Sequence, residues 1–348
     1  MFKGILAVLF AVLFLQCVLS KGAAAQVGNS CPIRFFSCGQ YSLWDATCVP
    51  AEPWGAWDCF GFWFSVYCKL PPLCPPPDGP QGCGGCATTR ATSPINLAIG
   101  NTYIEETDVR LPGLGGGLTL ARTWNSMWPA TLSAYQIGLF GPNWRSNFEE
   151  RLFVGSDHYL KYARGDGSFW SLTYINSNGG TTNYTVVAPA NVSATLSSGS
   201  SYWKLTFQNG EQRLFDNVSG KLTAIIDRNG NTTQLTYDSL VRLVTVTDPA
   251  SRHLYFGYGS GSYLVASVTS DFGESATYSY DIQGRLSQVT QPDGSTLSFQ
   301  YDSNSFVSAV VDSNGKILEA HTYDSSGRGL TSSRANGVDA VTISYGNP

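Results

Sequence analysis

The residues YDIQGRLSQVTQPDGSTLSFQYD, numbers 280–302, contain one complete unit of a repeat that governs the C-terminal part of the chain. A tyrosine or phenylalanine, usually followed by aspartate or glycine, returns there every 21 or 22 residues. Regular spacing of this kind is the sequence signature of a repeat array. The anchors of the repeat are Phe215, Tyr237, Tyr258, Tyr280, Tyr301, Tyr323 and Tyr345.

Each unit contains a second turn signal, 14 or 15 residues after its anchor. Between the turns the apolar side chains alternate with polar ones, as in Leu297-Phe299-Tyr301, and this period of two predicts β-strands. Asp-Gly and Asn-Gly pairs supply the positive-φ positions that tight hairpin turns require. The second turns lie at Gly230, Ser251, Gly273, Gly294, Gly315 and Gly337.

One such hairpin is too small to be stable alone. Ordering its backbone costs roughly 20–40 kcal/mol. Its three or four buried side chains return only about 1.5–3 kcal/mol each. The units must therefore stack side by side into one sheet, as in other repeat arrays.

The unit from Tyr280-Asp281 through Gly284-Arg285, followed by Pro292-Asp293-Gly294, resembles the YD repeats of bacterial Rhs proteins, toxin-complex shell proteins and animal teneurins. In that family the repeats coil as a β-sheet spiral into a hollow shell. The resemblance implies an all-β fold of stacked hairpins forming a curved or spiral sheet, a partial Rhs-type shell. Two units depart from the pattern, with Ser305 in place of a glycine and Leu240-Val241 interrupting another turn.

A second set of patterns precedes the repeats, between Pro94 and Trp170. Segments such as Gly141-Pro-Asn-Trp144 follow the order and spacing of the domain of unknown function that precedes the repeats in many Rhs-like proteins. We therefore expect an Rhs-associated β domain at 91–175, connecting strands at 176–212, and about six YD units, an incomplete array, at 213–348.

The N-terminus has the pattern of a secretory signal peptide, predicted for residues 1–25. Lys3 precedes an apolar run from Ile5 to Leu19, and Ala23-Ala-Ala25 offers a small-residue cleavage site. The run is shorter than the roughly 20 residues of a spanning helix, which argues against a membrane span. We expect a secreted or cell-surface protein, and the Rhs resemblance favours a bacterial one.

Residues 26–90 form a separate small module rich in cysteine, tryptophan and proline. An even cysteine count behind a signal peptide predicts a disulfide framework of unassigned connectivity. Cys83-Gly-Gly-Cys86 also has the spacing of a redox pair or half a zinc site, but the module lacks histidine. The disulfide candidates are Cys31, Cys38, Cys48, Cys59, Cys68, Cys74, Cys83 and Cys86.

The same module carries aromatic residues that have two interpretations. They either cover the disulfides or form a patch that binds a sugar or a protein partner. These residues are Trp54, Trp57, Trp63 and Tyr67.

The rest of the sequence offers no recognisable chemistry. It has three histidines, no Gly-X-Ser-X-Gly elbow and no zinc-hydrolase motif, which argues against a catalytic, metal or cofactor site. The net charge of −4 and the absence of a basic cluster argue against nucleic-acid binding. The segment from Asp227 to Asn231 is interpreted as a turn rather than a calcium loop.

Two clusters of titratable residues lie in predicted strands. Glu105, Glu106 and Asp108 lie in a predicted strand, so their side chains alternate between faces, and Arg110, Arg122 and Arg151 are expected as pairing partners. Glu319 and His321 occupy positions that are apolar in neighbouring units. The preferred interpretation is a β-bulge that places Ile317 or Leu318 inside instead.

The function that this sequence favours is a non-enzymatic surface scaffold, part of a β-shell used in toxin delivery or cell contact. Its partners would be further shell or toxin segments of a longer product, because the chain stops at Pro348, partway through a unit. The alternative is an adhesive or carbohydrate-binding module, with a cell-surface glycan or protein as partner and residues 26–90 as the recognition element.

Overall fold

The structure is a computed structural model that describes residues 56–57, 63–64, 95–97, 99–113, 117–128, 136–155, 159–189 and 192–346. The chain divides into two compact units, Met1–Pro76 and Pro77–Pro348. In the first, strands β1 (Ala56–Trp57) and β2 (Trp63–Phe64) pair in antiparallel fashion. All other described residues belong to the second unit.

A small three-stranded antiparallel sheet, here called the inner sheet, opens the second unit. It contains β3 (Tyr103–Leu111), β4 (Leu118–Asn125) and β7 (Trp144–Ser146), in that order. A two-strand hairpin of β5 (Ile137–Gly138) and β6 (Gly141–Pro142) lies between β4 and β7 in the chain. A register shift between Thr107 and Val109 allows both Asp108 and Val109 to be buried.

The second sheet, here called the outer sheet, has nineteen antiparallel strands in chain order. They are β8 (Arg151–Val154), β9 (Leu160–Ala163), β10 (Phe169–Asn178), β11 (Thr181–Ala188), β12 (Ala194–Ser198), β13 (Tyr202–Phe207), β14 (Gln212–Asp216), β15 (Leu222–Ile226), β16 (Thr232–Tyr237), β17 (Leu243–Thr247), β18 (His253–Tyr258), β19 (Val265–Ser270), β20 (Ser275–Tyr280), β21 (Leu286–Thr290), β22 (Thr296–Tyr301), β23 (Val307–Asp312), β24 (Ile317–Tyr323), β25 (Gly329–Arg334) and β26 (Val338–Thr342).

The outer sheet is not closed into a barrel, because β26 has no backbone pairing with β8 among the described residues. An isolated bridge joins Arg151 in β8 to Lys221, just before β15. A single 3-10 helix, Ala335–Gly337, interrupts the described strands, and no α-helix occurs among them. The all-β fold of stacked hairpins in a curved sheet, expected from the sequence, is confirmed; the disulfide-rich module lies outside the described residues, apart from β1 and β2.

The two sheets share one core. Their apolar residues form a single buried cluster that runs from Ile104 in β3 to Val310 in β23. Aromatic contacts join the sheets, with ring centroids 5.1 Å apart for Trp144 and Phe299 and 6.1 Å apart for Trp124 and Tyr323. The inner sheet therefore covers apolar side chains of the array that would otherwise face water.

The two departures from the repeat pattern keep the turn geometry. Val241 and Ser305 adopt φ angles of 60° and 69°, in the left-handed region where Gly284 and Gly327 stand in equivalent turns. For a β-branched residue such as valine this conformation costs about 1–3 kcal/mol. The backbone of the repeat is therefore kept even where the side chain disfavours it.

We expect core and turn-tip residues of one hairpin to differ sharply in their contribution to stability. Leu286 is fully buried, so Leu286→Ala should lower the free energy of unfolding by about 2–5 kcal/mol through lost burial and a residual cavity. Ile282, four residues earlier, is 98% exposed, and Ile282→Ala should change it by less than about 0.5 kcal/mol. Equal losses of unfolding free energy for the two variants in urea denaturation would contradict the conclusion that the two sheets share one buried core.

Candidate functional site

The repeat tyrosines link successive units through their hydroxyl groups. Each hydroxyl donates a hydrogen bond of 2.6–2.8 Å to a backbone carbonyl 15 or 16 residues earlier. The pairs are Tyr237 with Leu222, Tyr258 with Leu243, Tyr280 with Val265, Tyr301 with Leu286, Tyr323 with Val307 and Tyr345 with Gly329. The first anchor, Phe215, has no hydroxyl and is fully buried.

Burial keeps these hydroxyl groups protonated. It raises the pKa of Tyr301 to about 12 and raises the pKa of Tyr280 further still. The groups are therefore hydrogen-bond donors throughout the range in which proteins fold.

Aspartate follows five of the seven anchors, and its carboxylate stabilises the turn. One carboxylate oxygen of Asp281 accepts hydrogen bonds from the backbone N–H groups of Gln283 and Arg285, two and four residues later. Two repeats further along, Asp324 accepts from the N–H groups at the equivalent positions of its own turn. Asp238 makes the equivalent bonds, and the N–H of Arg242 is the main reason that the pKa of Asp238 is lowered. The Asp of the YD pair is thus a side-chain substitute for turn hydrogen bonds.

In three units an arginine four residues after the aspartate adds a second contact between that unit and the next anchor. It pairs with its own aspartate, and its guanidinium lies over the ring of the next anchor, at 4.4–4.6 Å from the centroid. The stacked pairs are Arg242 with Tyr258, Arg285 with Tyr301, and Arg328 with Tyr345. Where Phe306 replaces arginine, it packs against Tyr323 instead, at 5.1 Å.

A buried ion pair lies where the inner sheet meets the array. The carboxylate of Asp108 accepts from Nε and Nη2 of Arg122 at 2.5 and 2.8 Å, and from the hydroxyl of Tyr278 at 2.8 Å. Burial alone would lower the pKa of Arg122, but Asp108 more than offsets this and raises it. The guanidinium also stacks on Trp144, at 4.6 Å from the ring centroid. Sequence reasoning predicted Arg122 as a pairing partner, but not its complete burial.

Glu106 faces the same buried region. Burial raises the pKa of its carboxyl to about 7; Arg122 opposes the shift, and Asp108 and Glu319 add to it. Glu105 points to solvent, as the alternation of the strand predicts. The acidic cluster therefore divides between the two faces of β3.

The interpretation of Glu319 and His321 was partly wrong. A register shift does occur between Val310 and Val311, and Leu318 packs against the core, but Ile317 is exposed and His321 is buried. His321 Nε2 lies 3.4 Å from a Glu319 carboxylate oxygen. The bulge leaves these polar residues facing inward because their spacing of two keeps them on the same face.

On its other side, His321 contacts a serine across the strand pair. Its Nδ1 lies 3.0 Å from the hydroxyl of Ser332, a neighbour that only the register of β24 and β25 reveals. Ser332 is 1% exposed and His321 3% exposed, so a substrate has no access to this hydroxyl. Ser332, His321 and Glu319 therefore have the residue types of a catalytic nucleophile, base and acid, but not the access to solvent that catalysis requires.

Other residues singled out in the sequence have structural surroundings. Asp227 accepts from the N–H groups of Asn229 and Asn231, which makes a turn, and His253 pairs with Asp271 on the surface. No group of three or more His, Cys, Asp or Glu residues in the described part of the chain is arranged to hold a metal ion. Within that same part, no helix has the length and apolar character needed to cross a bilayer.

The N-terminal predictions lie outside the described residues. This holds for the signal peptide and for the side chains of all the cysteines and aromatic residues predicted to build the module at 26–90. They remain sequence-based predictions.

The tyrosine hydroxyl groups should each contribute measurably to stability. Tyr280→Phe removes the bond to the Val265 carbonyl and leaves that acceptor unpaired, so the free energy of unfolding should fall by about 1–2 kcal/mol. Tyr263→Phe is the matched control, because Tyr263 is 63% exposed in a turn. A loss in chemical denaturation no larger than that of the control would refute the linking role.

Glu106 should make stability depend on pH. Because its pKa is higher in the folded chain than in the unfolded one, the folded state binds more protons between pH about 4.5 and 7, and stability should fall as pH rises through that window. Glu106→Gln should reduce this fall in Tm and raise Tm above that of the wild type at pH 8. Glu105→Gln, on the exposed face, should leave the fall intact. Parallel Tm profiles for wild type and Glu106→Gln would exclude this origin.

Comparison with known protein families gives two matches. The family described as "Domain of unknown function (DUF6531)" matches residues 92–171, and the family described as "Teneurin YD-shell" matches residues 207–347. The first contains the inner sheet, and the second contains the linked tyrosine repeats.

Individual proteins are similar over shorter stretches. The tRNA nuclease WapA of Bacillus subtilis (strain 168) and the tRNA3(Ser)-specific nuclease WapA of Bacillus spizizenii are each 30% identical over 144 residues. That stretch is 41% of this chain, whereas the chain spans about 6% of the length of these relatives.

Solved structures that are similar include the TcdB2-TccC3 complex, with 11% identity and a TM-score of 0.30, covering 68% of this chain and 15% of that one. The Photorhabdus luminescens Tc holotoxin pore has 12% identity and a TM-score of 0.28, covering 67% and 14%. The two family matches lie in the order expected of Rhs proteins, and the resemblance to Rhs/YD-repeat proteins that the sequence indicated is confirmed.

Proposed function

We propose that the chain is a non-enzymatic, exported scaffold whose YD repeats form part of a β-shell used in toxin delivery or cell contact. The observation that carries this proposal is the recurring tyrosine link between successive units. Each of the six anchor tyrosines donates a hydrogen bond to a backbone carbonyl 15 or 16 residues earlier, and three of them also receive an arginine from the preceding turn. A sheet built this way can be extended by adding units, because each unit offers the next one the same kind of backbone acceptor that it binds in the unit before.

The buried polar groups support a structural role for the interior. The Asp108 carboxylate accepts hydrogen bonds from Arg122 and Tyr278 inside the core, where a removed partner would leave a buried charge unpaired. Together with the aromatic contacts between the sheets, this arrangement attaches the inner sheet to the array. It provides no open site at which a substrate could meet these groups.

The partners that we propose are further shell or toxin segments of a longer product. The YD-shell match and the small share of the WapA relatives that the chain spans both support this. The nuclease activity named for those relatives is not assigned to this chain, because the aligned 144 residues make up only about 6% of their length.

Expression of the full chain in a bacterial host tests the export part of the proposal. Mass spectrometry of the extracellular and periplasmic fractions should find a mature protein that starts near Gln26, without free thiols among the eight cysteines from Cys31 to Cys86. Cytoplasmic retention of the intact N-terminus, or several free thiols, would overturn export and the disulfide module.

The purified mature protein should leave tRNA intact. The control is His321→Ala, which removes the imidazole beside Ser332 and Glu319. Cleavage of tRNA by the wild type that disappears in the variant would show that the chain is an enzyme and would contradict the scaffold proposal.

A further inference from the structure

The hairpin of β10 and β11 ends in a two-residue turn, because Asn178 and Thr181 face each other as its last paired residues. The turn residues Gly179 and Gly180 have φ angles of 58° and 82°, as a type I′ turn requires. Asn178 and both glycines are exposed. A side chain added at either glycine would meet no atom within 4 Å, so the space around this turn is open.

Three other Asn-Gly pairs of the outer sheet lie in turns of a different kind. In each of them the glycine N–H donates a hydrogen bond of 3.0 or 3.1 Å to the carbonyl three residues earlier. Their asparagines are as exposed as Asn178, so exposure does not separate the four pairs, whereas the bonding of the glycine N–H does. The three pairs are Asn209-Gly210, Asn229-Gly230 and Asn314-Gly315.

The Gly179 N–H has no such partner. In a two-residue hairpin turn the N–H of the first turn residue points away from the ladder, and no described group accepts from that of Gly179. The side-chain amide of Asn178 also has no hydrogen-bond partner among the described residues. In contrast, Asn209 Oδ1 accepts from the N–H of Glu211 at 3.0 Å. Nothing described therefore holds the Asn178 side chain away from the backbone nitrogen that follows it.

This geometry allows Asn178 to react with its own backbone. The Gly179 nitrogen loses its proton to water or hydroxide and attacks the side-chain carbonyl carbon of Asn178, as the two groups are neighbours in the chain. The new N–C bond closes a succinimide ring, and the side-chain nitrogen leaves as ammonia. Water then opens the ring at either carbonyl, giving aspartate or isoaspartate without any oxidation or reduction.

We propose that Asn178 is a self-modification site that deamidates and isomerises in the folded chain, with water as the only co-reactant. Gly179 lacks a Cβ that would hinder the attack. At the other three pairs the turn must first open to release the glycine N–H, which slows the same reaction. This inference goes beyond the scaffold role, and it holds whether or not the array is part of a larger shell.

The modified hairpin should remain folded. The pairing of β10 with β9 ends at Leu172, and the pairing of β11 with β12 begins at Asn183, so the tip between them contacts no third described strand. The residues at 175–180 are all exposed. The additional carboxylate, and the additional backbone atom of isoaspartate, therefore change the surface of the tip without disturbing the shared core.

The test incubates the purified folded chain at mildly alkaline pH and follows each Asn-Gly pair by mass spectrometry of peptides prepared at acidic pH. Asn178 should convert at least about fivefold faster than Asn314. Asn314 is the matched control, because both asparagines lie in the same tripeptide, Ser-Asn-Gly, and both are exposed. In concentrated urea the two rates should become similar, because the turn that protects Asn314 is lost.

Two variants separate the turn from the local sequence. Asp312→Ala keeps Ser-Asn-Gly but removes the carboxylate that accepts from the N–H groups of Asn314 and Lys316. It should accelerate conversion of Asn314 at least about twofold and leave the rate at Asn178 unchanged. Asn178→Gln should abolish the early acidic species on ion exchange and keep the Tm of the wild type, since the tip is exposed.

Three outcomes would overturn the inference. They are no conversion of Asn178 in the folded chain, equal rates at Asn178 and Asn314 in the folded chain, and a difference between them that persists in urea. The last would assign the selectivity to sequence rather than to the hairpin. None of these outcomes bears on the export and tRNA experiments, because neither depends on this turn.

Discussion

The structure depends on covering the apolar face of a sheet whose units are too small to be stable singly. Each YD hairpin buries only a few side chains, so its stability comes from its two neighbours and from the inner sheet beneath it. Trp144, Phe140 and Trp124 from the DUF6531 region reach Phe299, Tyr278 and Tyr323 of the repeats. The two family regions are therefore one folding unit in physical terms, although they match separate families.

The YD motif itself follows from three local requirements. The ring of the tyrosine must pack against the core. Its hydroxyl must donate a hydrogen bond to a carbonyl of the preceding unit. The aspartate must accept the N–H groups of its own turn, and a cation after the turn must cover the next ring. In the unit at 301–306 the cation is replaced by Phe306, which covers Tyr323 by apolar contact alone. The aromatic and the turn are thus more strictly required than the arginine.

Sequence alone predicted the anchors, the hairpins and the stacking because these depend on local periodicity and turn chemistry. Contacts between strands that are far apart in the sequence could not be predicted in this way, because they do not depend on local periodicity. The burial of Arg122 against Tyr278 joins residues far apart in the chain, and the contact of His321 with Ser332 depends on strand register. The bulge near Leu318 was expected, but its effect on His321 was misjudged, because a bulge moves one residue and the alternation then resumes.

The most direct test of the shared core is hydrogen exchange of the repeat amides in a Trp144→Ala variant. Trp144 is fully buried in the inner sheet and contacts the array through Phe299. If the inner sheet stabilises the array, exchange should accelerate in β20 to β23 as much as in β3, β4 and β7. Acceleration confined to residues 103–146, with the repeat amides as protected as in the wild type, would contradict the central claim.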